Sequence, residues 1–266
     1  MDELKKRAKE LLETGAVKVV IGYEQGTGNK TRAAFIQKPE EVSKLIFDSR
    51  CVLNLAVYLN KPEVKQIGKP AIVAPIPVLR AIIQLASENQ FTDDNLLILG
   101  ITPESKFVEF NKLADVETYL DQHLIEIEAR DKEILERLDK MSVEERWNFW
   151  VEELSPCFKC YACRAACPMC YCHRCTVEMN QPQWISVPSH KLGNIEWHFM
   201  RAMHLAGRCV DCNACANACP IAIPLNLLTK KTLEEIKVSF GGYRPTLTGG
   251  HIMSTFKPND KENFIR

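Results

Sequence analysis

Helical and strand-like patterns alternate along the N-terminal part of the chain. Residues 2–14 form a charged, amphipathic run that predicts a helix, ended by Gly15. Residues 17–21 read Val-Lys-Val-Val-Ile and predict a strand, closed by Gly22. Residues 39–48, with Pro39 at a helix-start position, and residues 50–59 predict two helices. An apolar strand is predicted at 70–74, a helix at 77–87 and a further strand at 95–101. Strands alternating with helices predict a small α/β layer with parallel pairing.

The pattern then changes. Residues 112–154 are rich in Glu, Lys, Arg and Leu and lack Gly and Pro, so they predict an almost wholly helical connector. Ile125, Ile127, Ile134, Leu135 and Leu138 supply its apolar faces; a partner-binding helix is the other reading. At Ser155-Pro156 the composition shifts again, and a domain boundary is placed there. A helical stretch is expected near 191–206. The tail, 239–266, with Gly241-Gly242, Gly249-Gly250, Pro245 and Pro258, reads as irregular.

Composition narrows the class. Hydrophobic residues make up 46% of the 266 residues and charged ones 26%, as in a globular protein. No apolar run approaches the roughly 18 residues of a bilayer span. The charged N-terminus lacks the apolar core of a signal peptide, so a cytoplasmic location is expected. There thiols stay reduced, and dense cysteines point to metal ligation rather than disulfides.

Eleven of the twelve cysteines lie between Cys157 and Cys219. Eight repeat one spacing: Cys157, Cys160, Cys163 and Cys167 before Pro168, then Cys209, Cys212, Cys215 and Cys219 before Pro220. This is the ligand spacing of paired [4Fe–4S] cubanes, in which the fourth cysteine of each run serves the other cluster. One cluster is therefore assigned Cys157, Cys160, Cys163 and Cys219, the other Cys209, Cys212, Cys215 and Cys167. Zinc sites, the alternative, favour isolated Cys-x-x-Cys pairs. The 41 residues between the runs, 168–208, are long for a minimal hairpin ferredoxin and suit a mainly helical one.

Cys170, Cys172 and Cys175 form a further dense thiol group, and Cys51 is the one cysteine far from the rest. A third [4Fe–4S] cluster on these four would join the two halves of the chain. The alternatives are a zinc site with His173, or a Cys51 that is a small buried hydrophobe.

Net charge is zero but unevenly spread. Residues 1–156 hold 21 Lys+Arg against 27 Asp+Glu, a net of −6, and residues 157–266 hold 13 against 7, a net of +6. A basic half around thiolate-ligated clusters compensates their negative charge and raises their potentials. A nucleic-acid patch is the weaker reading, and a docking face for another subunit is compatible with the first. The Gly-rich stretch from Gly22 through Gly26, Gly28 and Lys30 to Arg32 matches neither the dinucleotide nor the Walker pattern, and reads as a surface loop. His190, His198 and His204 lie near the 191–206 helix, where they either pack or reach cluster sulfurs. No arrangement of Ser, His and Asp or paired carboxylates suggests hydrolysis, and no catalytic residue is assigned.

The residues also carry a family likeness. The stretches from Gly22-Tyr23 to Asp48, from Arg50-Cys51-Val52 to Leu59, and Gly68-Lys69-Pro70-Ala71-Ile72-Val73 resemble the β-subunit family of deazaflavin-coenzyme-reducing hydrogenases and formate dehydrogenases. Cys160-Tyr161-Ala162-Cys163-Arg164-Ala165-Ala166-Cys167-Pro168 and Gly207-Arg208-Cys209-Val210-Asp211-Cys212 resemble the dicluster ferredoxin module fused to some members. The resemblance implies an α/β N-terminal domain followed by a mainly helical dicluster ferredoxin domain. The expected division is 1–111 α/β, 112–155 connector, 156–238 ferredoxin module and 239–266 tail. It also implies a flavin (FAD) and a place in a larger anaerobic redox complex. Partners would be other redox subunits: a hydrogenase, a formate dehydrogenase, a heterodisulfide-reductase-like protein or a similar flavoprotein. Ala74-Pro75-Ile76-Pro77-Val78-Leu79 departs from the family pattern, because two prolines and no glycine leave few backbone N–H donors for a flavin. The leading expectation is an electron-transfer subunit; the second is a flavin-dependent oxidoreductase subunit exchanging hydride with a deazaflavin or nicotinamide.

Overall fold

The computed structural model describes residues 1–124, 127–175, 177, 182–240 and 245–247. Ile125 and most of the irregular tail lie outside these residues. Helix α1 (Asp2–Glu13) buries Leu4, Ala8 and Leu11. It leads into a five-stranded sheet of order β2-β1-β3-β4-β5. The strands are β1 (Val19–Gln25), β2 (Thr31–Ile36), β3 (Pro70–Pro75), β4 (Leu97–Ile101) and β5 (Phe107–Phe110). β1, β3 and β4 pair in parallel, with Ile21 opposite Ile72 and Val73 opposite Leu99. The first five residues of β1 and the middle four of β3 are buried, as expected of strands covered on both faces.

Both edge strands escaped the sequence reading, and both are antiparallel. Gly22 does not close β1; the strand runs through it, with Gly22 opposite Ala34, and Leu45 lies where a Cβ would be. The Gly-rich stretch is thus a β-hairpin, turned between Gly26 N–H and Lys30 O at 2.8 Å. The helices predicted at 39–48 and 50–59 are short 3₁₀ turns, Pro39–Lys44 and Leu55–Tyr58. Between them Ile46 donates its N–H to Tyr23 O at 2.9 Å, which draws the backbone out along β1.

Helix α2 (Pro62–Ile67) precedes β3, and α3 (Ile76–Ser87) follows it without a loop. The predicted long connector is three helices: α4 (Leu113–Asp121), α5 (Ala129–Lys140) and α6 (Val143–Leu154). A capping box between Ser142 and Glu145 starts α6 and ends the continuity. The cysteine region contains α7 (Ala162–Ala165), α8 (Lys191–His204), α9 (Ala214–Asn217) and α10 (Leu225–Phe240). No helix among the described residues is long and apolar enough to cross a membrane.

Two cores hold the chain. The larger fills the sheet layer and extends to Met169, Leu205 and Val210 of the cysteine region. The smaller joins Leu135 and Leu138 of α5, Trp150 and Leu154 of α6, Trp197 of α8 and Leu225 and Leu227 of α10. A polar clamp ties the halves together. Glu88, after α3, accepts from Arg208 Nε and Nη2 at 2.8 and 2.5 Å and from the Tyr171 hydroxyl at 2.6 Å. Arg208 also lies over the Tyr171 ring, 5.4 Å from its centroid.

Gly100 in β4 has no room for a methyl group. A Cβ there would sit 2.5 Å from Phe110 Cε2, 2.9 Å from Val108 Cγ1 and 3.0 Å from the Val108 carbonyl oxygen. Gly100→Ala is expected to lower stability by about 1–3 kcal/mol through overpacking. Denaturant unfolding measures it, and an unchanged midpoint would show that the β4–β5 pair opens freely.

Candidate metal centre

Each cysteine run folds by the same backbone device. Lys159 and Asp211, two residues after the first cysteine, have φ of 55° and 51°; Tyr161 and Asn213, two further on, have 59° and 55°. These left-handed residues coil the chain tightly before α7 and α9. Side chains other than glycine hold such angles at an expense of order 1 kcal/mol or more each. They also aim N–H groups at sulfur. Lys159 N–H donates to Cys157 Sγ at 3.4 Å, and Asp211 N–H to Cys209. Ile223 N–H donates to Cys219 Sγ at 3.4 Å.

The thiols of the two runs cross. One small cavity is lined by Cys157, Cys160, Cys163 and Cys219. The other is lined by Cys209, Cys212, Cys215 and Cys167. Each therefore takes three thiols from one run and the fourth from the other. Among the described residues no three His, Cys, Asp or Glu side chains are grouped as one metal ion would need. All the thiols are free of disulfides. Burial pushes the Cys163 and Cys209 thiols up to about 12, so only a bound positive centre would make thiolates of them.

Helix α8 runs beside both cavities. Its Asn194, Trp197, His198 and Arg201 are buried and share one stripe. Asn194 Nδ2 donates to Leu154 O and Cys157 O at 3.1 and 2.8 Å, fastening the start of the first run. Ser189 Oγ donates to the same Cys157 carbonyl, and Lys159 Nζ to Ser186 O. His198 Nε2 lies 3.2 Å from Cys157 Sγ. Burial, reinforced by the Arg201 and Lys159 charges, pulls His198 down to about 3, so its imidazole is neutral. His190 instead caps α8 through Gly193 N–H, and His204 is exposed.

Two buried donors on this stripe lack partners: Trp197 Nε1, at the first cavity, and Arg201 Nε, at the second. Buried N–H groups are nearly always satisfied. Eight thiols and unpartnered donors around two cavities fit sulfide-rich groups, whose sulfurs are acceptors. Neither Trp197 nor Arg201 was identified as a site residue from sequence.

Cys51, Cys170, Cys172 and Cys175, the candidate ligands of a third cluster, line neither cavity. Cys170 lies near Cys167 and Arg201 beside the second cavity. Cys172 is exposed near Tyr171 and Arg208, and its carbonyl accepts from Arg164. Cys175 packs on the smaller core, and Cys51 on the larger one, where Asp48 N–H donates to it at 3.5 Å.

Comparison with known proteins shows a likeness over part of the chain. No protein-family model matches the chain. It is 28% identical over 125 residues to the β subunit of the F420-dependent formate dehydrogenase of Methanocaldococcus jannaschii, covering 43% of this chain and 32% of that relative. It is 33% identical over 107 residues to the β subunit of F420-dependent formate dehydrogenase 1 of Methanococcus maripaludis, covering 40% of this chain and 26% of that relative. The chain is thus similar, over part of its length, to F420-dependent formate dehydrogenase β subunits. The match takes in only about a quarter to a third of those relatives' length.

In this chain the second cysteine run sits against the carboxyl end of the parallel strands, where ligands of such sheets commonly bind. Asn54 meets Cys212 there, while its Nδ2 donates to Pro77 O at 3.0 Å, just past β3. Tyr23, fully buried at the end of β1, donates its hydroxyl to Leu53 O at 2.7 Å, near Cys51 and Cys212. Arg80 of α3 faces Asp211 and Cys212. The two prolines noted at 74–79 cap and open α3.

Proposed function

We propose that the protein is an iron–sulfur electron-transfer subunit of a larger redox complex, holding two [4Fe–4S] clusters in its crossed thiol sets. The observation that carries this reading is the lining of each cavity by three thiols of one run and the fourth of the other. When bound, such clusters take up and release single electrons. The chain's own residues supply the ligands, backbone N–H groups aimed at ligand sulfurs, and the α8 donors. Trp197, Ile223 and Leu225 keep water from the first cavity, since all three are buried in its wall.

The two sites differ in access. Cys160 is exposed and flanked by exposed Phe158 and Ile221, whereas no thiol of the second set is exposed. Electron exchange with a partner subunit is assigned to the first site. Exchange with anything held by the N-terminal domain is assigned to the second. The relatives' names favour a formate dehydrogenase-like partner; a hydrogenase, a heterodisulfide-reductase-like protein or another flavoprotein would use the same surface.

Anaerobic purification followed by iron and sulfide analysis tests the reading. About eight irons per chain are expected. About twelve would call for a third cluster on Cys170, Cys172, Cys175 and Cys51, and zinc without sulfide would refute the proposal. Flavin released by acid in stoichiometric amount would make the N-terminal domain a hydride-handling unit, the reading favoured by the F420-dependent relatives.

A further inference from the structure

We infer that Arg201 is a charge shared by the two cluster sites, one buried guanidinium that stabilises the reduced form of both and sets their potentials together. This rests on the two-cluster reading above. Arg201 is only 6% exposed. Its Nη2 donates to the carbonyl of Cys163, a thiol of the first set, at 3.0 Å. Its side chain lines the second cavity, and its charge lies near the Cys215 and Cys170 thiols. The groups that face its charge are Cys167, Cys170, Cys215 and Cys163, drawn from both runs and both sets.

Other buried or half-buried cations of the region have partners of their own. Lys230 lies between Asp131 and Asp211, Arg208 pairs with Glu88, Lys159 donates to Ser186 O, Arg164 donates to Cys172 O, and Arg80 donates to His123 O and Leu124 O and faces Asp211. Arg201 makes no ion pair with a carboxylate among the described residues, and its Nε has no acceptor. A buried cation left without a counter-charge is strongly unfavourable. Thiolate-ligated clusters would supply that charge, on two sides of one guanidinium. Reduction adds an electron to the cluster, and a fixed cation nearby in a low dielectric favours that added negative charge. Both midpoint potentials are then held up by the same residue.

The test is an anaerobic potentiometric titration with dithionite, followed by EPR, on the wild type, Arg201→Gln and Arg201→Lys, each with its iron content. Arg201→Gln with about eight irons is expected to show both potentials lowered, each by at least a tenfold change in the reduction equilibrium, which is about 59 mV for one electron. Arg201→Lys, which keeps the charge, is expected to stay near the wild type. Unchanged potentials in a fully loaded Arg201→Gln, or a fall in only one of them, would overturn the inference. Should Arg201→Gln lose its clusters, Arg201→Lys decides. Full loading with wild-type potentials supports the charge, and loss of clusters there too overturns it in favour of packing. Wild-type protein without about eight irons would instead refute the two-cluster reading itself.

Discussion

Replacing Cys212 with serine is expected to leave about four irons per chain of about eight, with one cubane signal lost from the EPR spectrum and the other kept. Cys212 is at once a wall of the second cavity and a contact of Asn54, so the loss falls at the domain interface. The crossed arrangement makes a sharper demand on double variants. Cys212→Ser combined with Cys167→Ser removes two ligands of one set and should still leave about four irons. Cys212→Ser combined with Cys219→Ser strikes both sets and should leave almost none. An uncrossed protein would give the opposite pair of results. Circular dichroism of each variant, showing α/β content retained, keeps ligand loss apart from unfolding.

Lys230→Met is expected to destabilise the protein by about 3–5 kcal/mol, a fall in Tm of roughly 10 °C. Lys230 is 1% exposed, with Nζ 2.8 Å from Asp131 and 3.2 Å from Asp211. Burial pushes the Asp211 carboxyl up, and the Lys230 charge opposes that shift. Methionine would fill the space but leave two carboxylates without their counter-ion. The three residues come from α10, α5 and the middle of the second cysteine run, so the triad pins that loop to two helices. Asn226 Nδ2 adds a bond to Asp131 at 2.8 Å. Adding Asp131→Asn to Lys230→Met should recover part of the loss, because one unpaired charge is then gone. Thermal unfolding of the two variants measures both effects, and a full-sized loss in the double variant would point to packing instead.

Short-range information sufficed wherever a pattern is self-contained. The cysteine spacing, α1, the β3–α3 step, β4 and α8 were all legible, since each follows from a run of adjacent residues with its own start and stop signals. The likeness to formate dehydrogenase β subunits was legible too. The stripe on α8 was readable in principle: Asn194, Trp197, His198 and Arg201 recur at helical spacing on the face where apolar residues would be expected. Only the fold shows that this face meets two thiol-lined cavities.

Tertiary structure decided the rest, because it depends on contacts between distant residues. The stretch 45–47 is extended and not helical because Tyr23 offers it a backbone acceptor. β2 and β5 exist because β1 and β4 need edge partners. The four remaining cysteines are dense in sequence or suggestive in number, and none of them lines either cavity. What the chain determined by itself was the set of eight thiols, through a spacing that local backbone turns can satisfy. The crossed sharing of those thiols was assigned from the spacing as well; that Arg201 lies among them came from the placing of α8 beside both cavities.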